Sequence, residues 1–459
     1  MNEYYVLVPK SLNLDRRLSI FPPDFNFNKE YCYYFISQLV INLQYQKTSE
    51  KDLKTVVKKF VSMCSTINQN IFRDYNKYLE YLYKDFTGEG RLLWRNNYKK
   101  GKCYSYRLPD YYWGNGELEL IPIFNQSLLK NIKKHHIPKV QRSVKQNYNF
   151  VIGYFDTKRF QLDEESALNE LYLQYQQTRD YQKYLSNAVK VMNFKNGYFS
   201  FIHHPETDGR LHTAITQFPK ICRKYLKYDN EKLAEVDLSS SIPFFLSYLL
   251  SNNLTPTNLT SVINSKDIIS HYMLVESSAK PTGKEIQRFK DLVLKNELYS
   301  YFSDDFVNLP NFEISFKNEF NIPFDGDTDD LRKYSKKRFL SMLFAKPTDY
   351  KNEQTVFKKY FPTINELIIK FKRKKFRDFK KSEWHKKLSY LVFQLESHFM
   401  LNIIAREINN KYKRKIPLFT LHDCIVVKES HLEIVYNQMK EIFVREIGYA
   451  PNLTKKIWE

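Results

Sequence analysis

The chain has 459 residues, 42 % hydrophobic and 16 % aromatic, with 72 Lys and Arg against 51 Asp and Glu for a formal net charge of +21. That length allows two or three cores of ordinary size and excludes a peptide or a single small module. Its longest apolar run, residues 242–250, is too short to cross a bilayer, so no membrane partner is expected.

Residues 28–110 repeat apolar side chains at three- and four-residue intervals with almost no glycine, which predicts several amphipathic helices. Pro138 and the basic residues 130–145 read as a connection. A second helical block is expected over 164–191, opening on Asp163-Glu164-Glu165, since acidic residues favour a helix N-terminus. Neither block carries a convincing Asp-x-Glu pattern of a proofreading exonuclease. Residues 197–202 alternate like a strand and lead into Asp208-Gly209-Arg210, a turn signal. A strand over 232–238 carries Asp237, and the apolar segment from Pro243 continues as a helix if the proline sits in its first turn. Residues 255–325 read as a polar, mostly helical insertion. A strong helix is expected over 329–344, acidic at its start and with Pro347 just beyond its end. The basic run 372–377 reads as a solvated helix face that could also grip a duplex. Residues 386–410 predict one long helix, and 418–428 predict a hairpin turning at His422-Asp423.

The excess positive charge commonly marks a partner with a phosphate backbone, and nucleic acid is the first expectation. The 35 Tyr and 35 Phe offer stacking surfaces for bases, although most such rings simply fill a core. Cys32, Cys64, Cys103, Cys222 and Cys424 show no paired spacing. That argues against zinc or a disulfide framework and for a reducing, cytoplasmic setting. His203-His204 has no third ligand near in sequence and reads as a pair of polar turn residues.

The chemistry concentrates in two carboxylates. Asp237 in one predicted strand and Asp423 at the tip of a hairpin could lie on adjacent strands. Two such groups can hold two divalent cations about 3.5–4 Å apart, the arrangement that stabilises attacking and leaving oxygens in phosphoryl transfer. Between them in sequence, Arg332, Lys336, Leu340 and Phe344 are spaced four apart and share one helix face. Fixed positive charge followed by an apolar and aromatic floor suits a nucleoside triphosphate. Alone, such a helix is more often an ordinary amphipathic one, and a lone Asp in a hairpin is more often just a turn residue.

Taken in order, these segments resemble the family A DNA polymerases and the related phage-type single-subunit RNA polymerases. Gly209-Arg210-Leu211-His212-Thr213 with Arg223 resembles the segment that touches primer-template, and Glu235-Val236-Asp237-Leu238-Ser239 resembles motif A. Arg332-x-x-x-Lys336-x-x-x-Leu340-x-x-x-Phe344-Ala345 is similar to motif B, Gln394 to a DNA-contacting glutamine, and His422-Asp423 to motif C. The resemblance covers about residues 197–459. Leu340, Phe344-Ala345 and Cys424 depart from the usual pattern, and the order Asp237-x-Ser239-x-Ser241 is closer to the RNA-polymerase branch.

The resemblance implies an α+β right-hand polymerase with an antiparallel palm sheet, helical fingers and thumb, and a mainly helical N-terminal region. Expected boundaries are 1–150 for an N-terminal region of unknown role, 151–195 for thumb-like or connecting helices, and 196–459 for palm and fingers, with fingers over about 250–385. It implies two Mg²⁺ ions, or Mn²⁺, on Asp237 and Asp423. Arg332, Lys336, Leu340, Phe344 and Ile242 would face the nucleotide, with Lys336 also available as a proton donor. Arg210, Arg223, Gln394 and His422 would face nucleic acid. The implied partners are a DNA primer-template, or an RNA template or product, and nucleoside triphosphates. The implied activity is DNA polymerisation, with RNA synthesis, primase-like activity or an inactive nucleic-acid-binding relative as alternatives. A compact polymerase without an exonuclease suits a phage or other mobile element.

Overall fold

The computed structural model describes residues 3–71, 74–86, 90–97, 101–136, 140–251, 259–375 and 380–459. Among them, helices dominate and every strand pairing is antiparallel. The strands in chain order are β1 (Tyr4–Pro9), β2 (Val61–Ser62), β3 (Trp94–Arg95), β4 (Ser105–Arg107), β5 (Leu118–Ile123), β6 (Phe160–Leu162) and β7 (Ile202–His203). There follow β8 (Leu211–His212), β9 (Leu226–Tyr228), β10 (Glu231–Leu238), β11 (Leu418–Leu421), β12 (Cys424–Lys428) and β13 (Leu453–Ile457).

The largest sheet runs β11-β12-β10-β9-β6, with β13 also on β10. Its spine is β10, where Leu233, Ala234, Val236 and Leu238 are all buried and so commit the strand to the interior. On one edge it pairs with β12, from Leu233 opposite Lys428 to Asp237 opposite Cys424. On the other it pairs with β13, from Ala234 opposite Ile457 to Leu238 opposite Leu453. Asp229 and Asn230, at φ of 50° and 63°, turn β9 into β10; Asp and Asn tolerate that left-handed backbone better than most residues. His422 adopts φ 60° between β11 and β12, which leaves Asp423 at the hairpin tip beside the end of β10.

Helix Ser241–Ser251 leaves β10 almost at once, with Pro243 inside its first turn, where a missing N–H costs no intrahelical bond. Its Phe244, Phe245, Leu246 and Leu249 are buried, and it packs on helices Gly283–Leu294 and Lys387–Ser397. Helix Thr328–Phe344 opens on Asp327, whose carboxylate accepts from the Asp330 N–H, and Asp329 and Asp330 complement its N-terminal dipole.

Several expectations are corrected. Residues 126–136 and 142–152 are two helices, not a connection, while Pro138 lies outside the described residues. The alternation over 197–202 yields only the short pair β7–β8; Phe199 and Phe201 pack instead on Phe155, with ring centroids 5.3 and 5.0 Å away. The mainly helical N-terminal third also carries strands, with β1 paired to β5 and with β2, β4 and β3 in a small sheet. The expected helix over 386–410 is an α-helix to Ser397, a wider π-helical stretch over His398–Ala405, and α-helix again over Arg406–Lys411. The basic run is not wholly solvated. Lys372 is 2 % exposed and donates from Nζ to the Met342 carbonyl at 2.9 Å; burial pushes its ammonium down to about 7. Phe376 and Arg377 lie outside the described residues.

Candidate active site

Asp237 and Asp423 meet because strand pairing makes them meet. The β10–β12 register sets Asp237 opposite Cys424, and the Leu238 N–H donates to the Asp423 carbonyl at 3.1 Å. A carboxylate oxygen of Asp237, one of Asp423 and the Cys424 Sγ all lie within 4.8 Å of one another. The carboxylates are half-buried and line a cavity of about 190 Å³.

The cavity wall carries the opposite charge. Arg332 and Lys336 from helix Thr328–Phe344 line it together with Asp237, Asp423, Ile242 and Leu340. Arg332 donates to the Asn296 carbonyl at 3.2 Å and to Asn296 Oδ1 at 2.8 Å, which fixes the guanidinium at the rim. The Lys336 ammonium stands 5.8 Å from the centre of the Tyr299 ring. Asn296 and Tyr299 come from the polar insertion and carry no motif, and nothing local in sequence points to them. Phe344 lies one turn further on, 5.3 Å from Phe393, outside the set of cavity-lining residues.

Burial of the two carboxylates shows in their acidity. Burial first, then the charges of Asp423 and Glu235, push Asp237 up to about 6, against the pull of Lys336 and Lys220. Asp423 is also raised, chiefly by burial, although Arg210 and Lys336 draw it down. A pair that resists full ionisation is a pair that a cation would relieve. Burial pushes the Cys424 thiol well up, and its S–H donates to the Leu421 carbonyl at 3.4 Å, so without a cation it stands as a neutral thiol beside the two carboxylates. The two carboxylates of this group are hard oxygen ligands that fit Mg²⁺ or Mn²⁺.

The four residues expected to face nucleic acid are placed differently from one another. Arg210 is ion-paired with Glu396, which is completely buried, and lies 4.2 Å from the Phe393 ring centre. Glu396 also accepts the Ser241 hydroxyl, so it ties the Arg210 loop to the segment just after Asp237. A glutamate among Leu388, Leu391, Val392 and Leu395 was the available sequence signal, because such a charge is buried only when paired. Arg223 stands 3.5 Å from the Glu235 carboxylate, which also accepts the Trp458 indole N–H at 2.8 Å. Gln394 is buried with both ends of its amide engaged, accepting from Asn264 N–H and donating to the Thr207 carbonyl, each at 3.0 Å. His422 packs 5.3 Å from the His212 ring, and its buried Nδ1 has no hydrogen-bond partner among the described residues. Burial, Arg210 and His212 push it down to about 4, so it is neutral at pH 7. His203 lies in β7 and not in the expected turn, and contacts the Tyr148 hydroxyl and the Gly209 carbonyl.

Sequence comparison yields no family. No protein-family profile matches the chain, and no curated protein matches it. Among solved structures, the chain is similar to the POL domain of Pol1 from M. smegmatis in complex with DNA primer-template and dNTP. Identity is 10 % and the TM-score 0.37, over 63 % of this chain and 55 % of that one. The chain thus spans about half the length of that neighbour. A likeness so distant bears no functional weight, which falls on the cavity itself. No described helix is long and apolar enough to cross a membrane.

Proposed function

We propose that the chain is a template-directed nucleotidyltransferase, a DNA polymerase extending a primer 3′-hydroxyl. The observation that carries this reading is the facing of the Asp237–Asp423 pair by Arg332 and Lys336 across one small cavity. Paired carboxylates alone suit many metal sites. Paired carboxylates under two fixed cations suit a substrate that brings both a metal and a polyphosphate.

In this reading Asp237 and Asp423 hold two Mg²⁺ ions, which when bound activate the primer hydroxyl and neutralise charge on the departing pyrophosphate. Arg332, held by Asn296, and Lys336 grip the triphosphate by charge-assisted hydrogen bonds, and Lys336 has a proton to give the leaving group. Ile242 and Leu340 border the sugar and base, Phe344 closes the helix face behind them, and the large antiparallel sheet acts as a palm. Helix Thr328–Phe344 and its neighbours over about 250–385 act as fingers, and the helices within 151–195 as a thumb or connector. Arg210 and Arg223 bear on nucleic acid through the buried carboxylates they fix, and His422, neutral and beside Asp423, faces the primer end.

The test is primer extension. Labelled primer-template is incubated with Mg²⁺ and either dNTPs or NTPs; elongation with dNTPs is expected. Elongation with NTPs alone would replace the DNA-polymerase reading by an RNA-making one, and no elongation with either would overturn the proposal.

A further inference from the structure

The small sheet of β2, β4 and β3 lies far in sequence from the catalytic residues and has no part in the reading above. Its edge strand β3 pairs only with β4 among the described residues. Trp94 opposes Arg107 and Arg95 opposes Tyr106, and since successive strand residues point to opposite faces, Trp94 and Arg95 project to either side. Each side carries a ladder of guanidinium groups and rings. On one, the Arg107 guanidinium lies 4.1 Å from the Trp94 ring centre and 5.5 Å from that of Phe60. On the other, Arg95 lies 4.6 Å from Tyr83 and 4.5 Å from Tyr104, with Arg91 also 4.8 Å from Tyr83.

Charge and exposure decide what such an edge can take. Arg91 and Arg107 have carboxylate neighbours in Asp85 and Asp110, but Arg95 is exposed and has no ion-pair partner among the described residues. Trp94 is 39 % exposed although it is among the largest apolar side chains. Stacking on a ring holds a guanidinium flat and leaves its N–H groups free at the edge, where phosphates bind in a fork. A strand of unpaired nucleotides offers both complements at once, bases to stack on Trp94 and phosphates for Arg95. A duplex hides its base faces, and an acidic protein needs no exposed ring.

We propose that the β3 edge is a binding surface for a single-stranded nucleic acid, with Trp94 as stacking platform and Arg95 as phosphate contact. It requires neither metal nor nucleotide and stands whether or not the chain polymerises.

Of the chain's four tryptophans, Trp113 and Trp458 are buried and Trp384 is half-buried, so the contact of Trp94 is read as the quenching that Trp94→Phe loses relative to the parent. The full chain is titrated with oligothymidylate in EDTA and low salt, following tryptophan emission and, separately, the anisotropy of a labelled strand. Emission is expected to fall for the parent and to fall far less for Trp94→Phe, while Trp94→Phe still binds. Trp94→Ala combined with Arg95→Ala is expected to weaken strand binding about tenfold or more with an unchanged thermal transition. Equal quenching in Trp94→Phe, parental affinity in the double variant, or displacement of the strand by polyglutamate of equal charge would each overturn the proposal.

Discussion

Removing the Asp237 charge should make the metal-free protein more stable while destroying its activity. Asp237 is pushed from 3.8 to about 6 by burial and by its acidic neighbours. For an acid raised in the folded state, the unfolded chain ionises first, so a penalty on folding grows as pH rises from about 4 and is complete above about 6. Two pH units correspond to about 3 kcal/mol, and a carboxylate with partial solvent access keeps about half of that, so about 1–2 kcal/mol is expected. Asp237→Asn, nearly the same shape, should therefore unfold later than the parent at pH 7.5 in EDTA, and the difference should vanish near pH 4. Added Mg²⁺ should then raise the parental transition and leave the variant's unchanged, because only the parent has the cation site. Calorimetry at several pH values reads both effects. If Asp237→Asn is the less stable protein at pH 7.5 in EDTA, the carboxylate is a structural group and the reasoning fails.

Lys336→Ala should lower the incorporation rate and raise KM for the nucleotide while primer-template affinity stays close to parental; a gel shift that collapses would put Lys336 on the nucleic-acid backbone instead. Ile242→Gly should narrow the preference for dATP over ATP on one primer-template, since an apolar branched side chain fills the space where a 2′-hydroxyl would need a partner; unchanged discrimination would show that Ile242 is not the gate. Glu396→Ala should cost about 3–5 kcal/mol in chemical denaturation, because it strands the Arg210 guanidinium beside an apolar helix; a loss below about 1 kcal/mol, the usual worth of a surface pair, would count against a buried one.

What could be read beforehand was what is local. An apolar run ending in a carboxylate, a helix with cations spaced four apart and a hairpin with His-Asp at its tip each depend on near neighbours, and the cavity brings Asp237, Asp423, Arg332, Lys336, Leu340 and Ile242 together. Long-range pairing left no such trace: β1 and β5 join Tyr4 to Ile123, and neither strand alternates strongly enough to announce itself inside a helical region. Rings misled where they pack from a loop, as Phe199 and Phe201 do on Phe155, since an aromatic loop folded into a core alternates much as a strand does. Asn296, Tyr299 and Glu396 owe their place to the meeting of distant helices. Lys372 was hidden by its own neighbours, because a single inward lysine in a basic run looks like the rest of the run.

The central claim is that Asp237 and Asp423 act together on a nucleotide held by the helix above them. Single-nucleotide incorporation on a defined primer-template, measured for Asp237→Asn, Asp423→Asn and the parent at equal occupancy of DNA, tests it most directly. The account predicts measurable incorporation by the parent and none above background by either variant, with DNA affinity unchanged. Incorporation by either variant at close to the parental rate would contradict it.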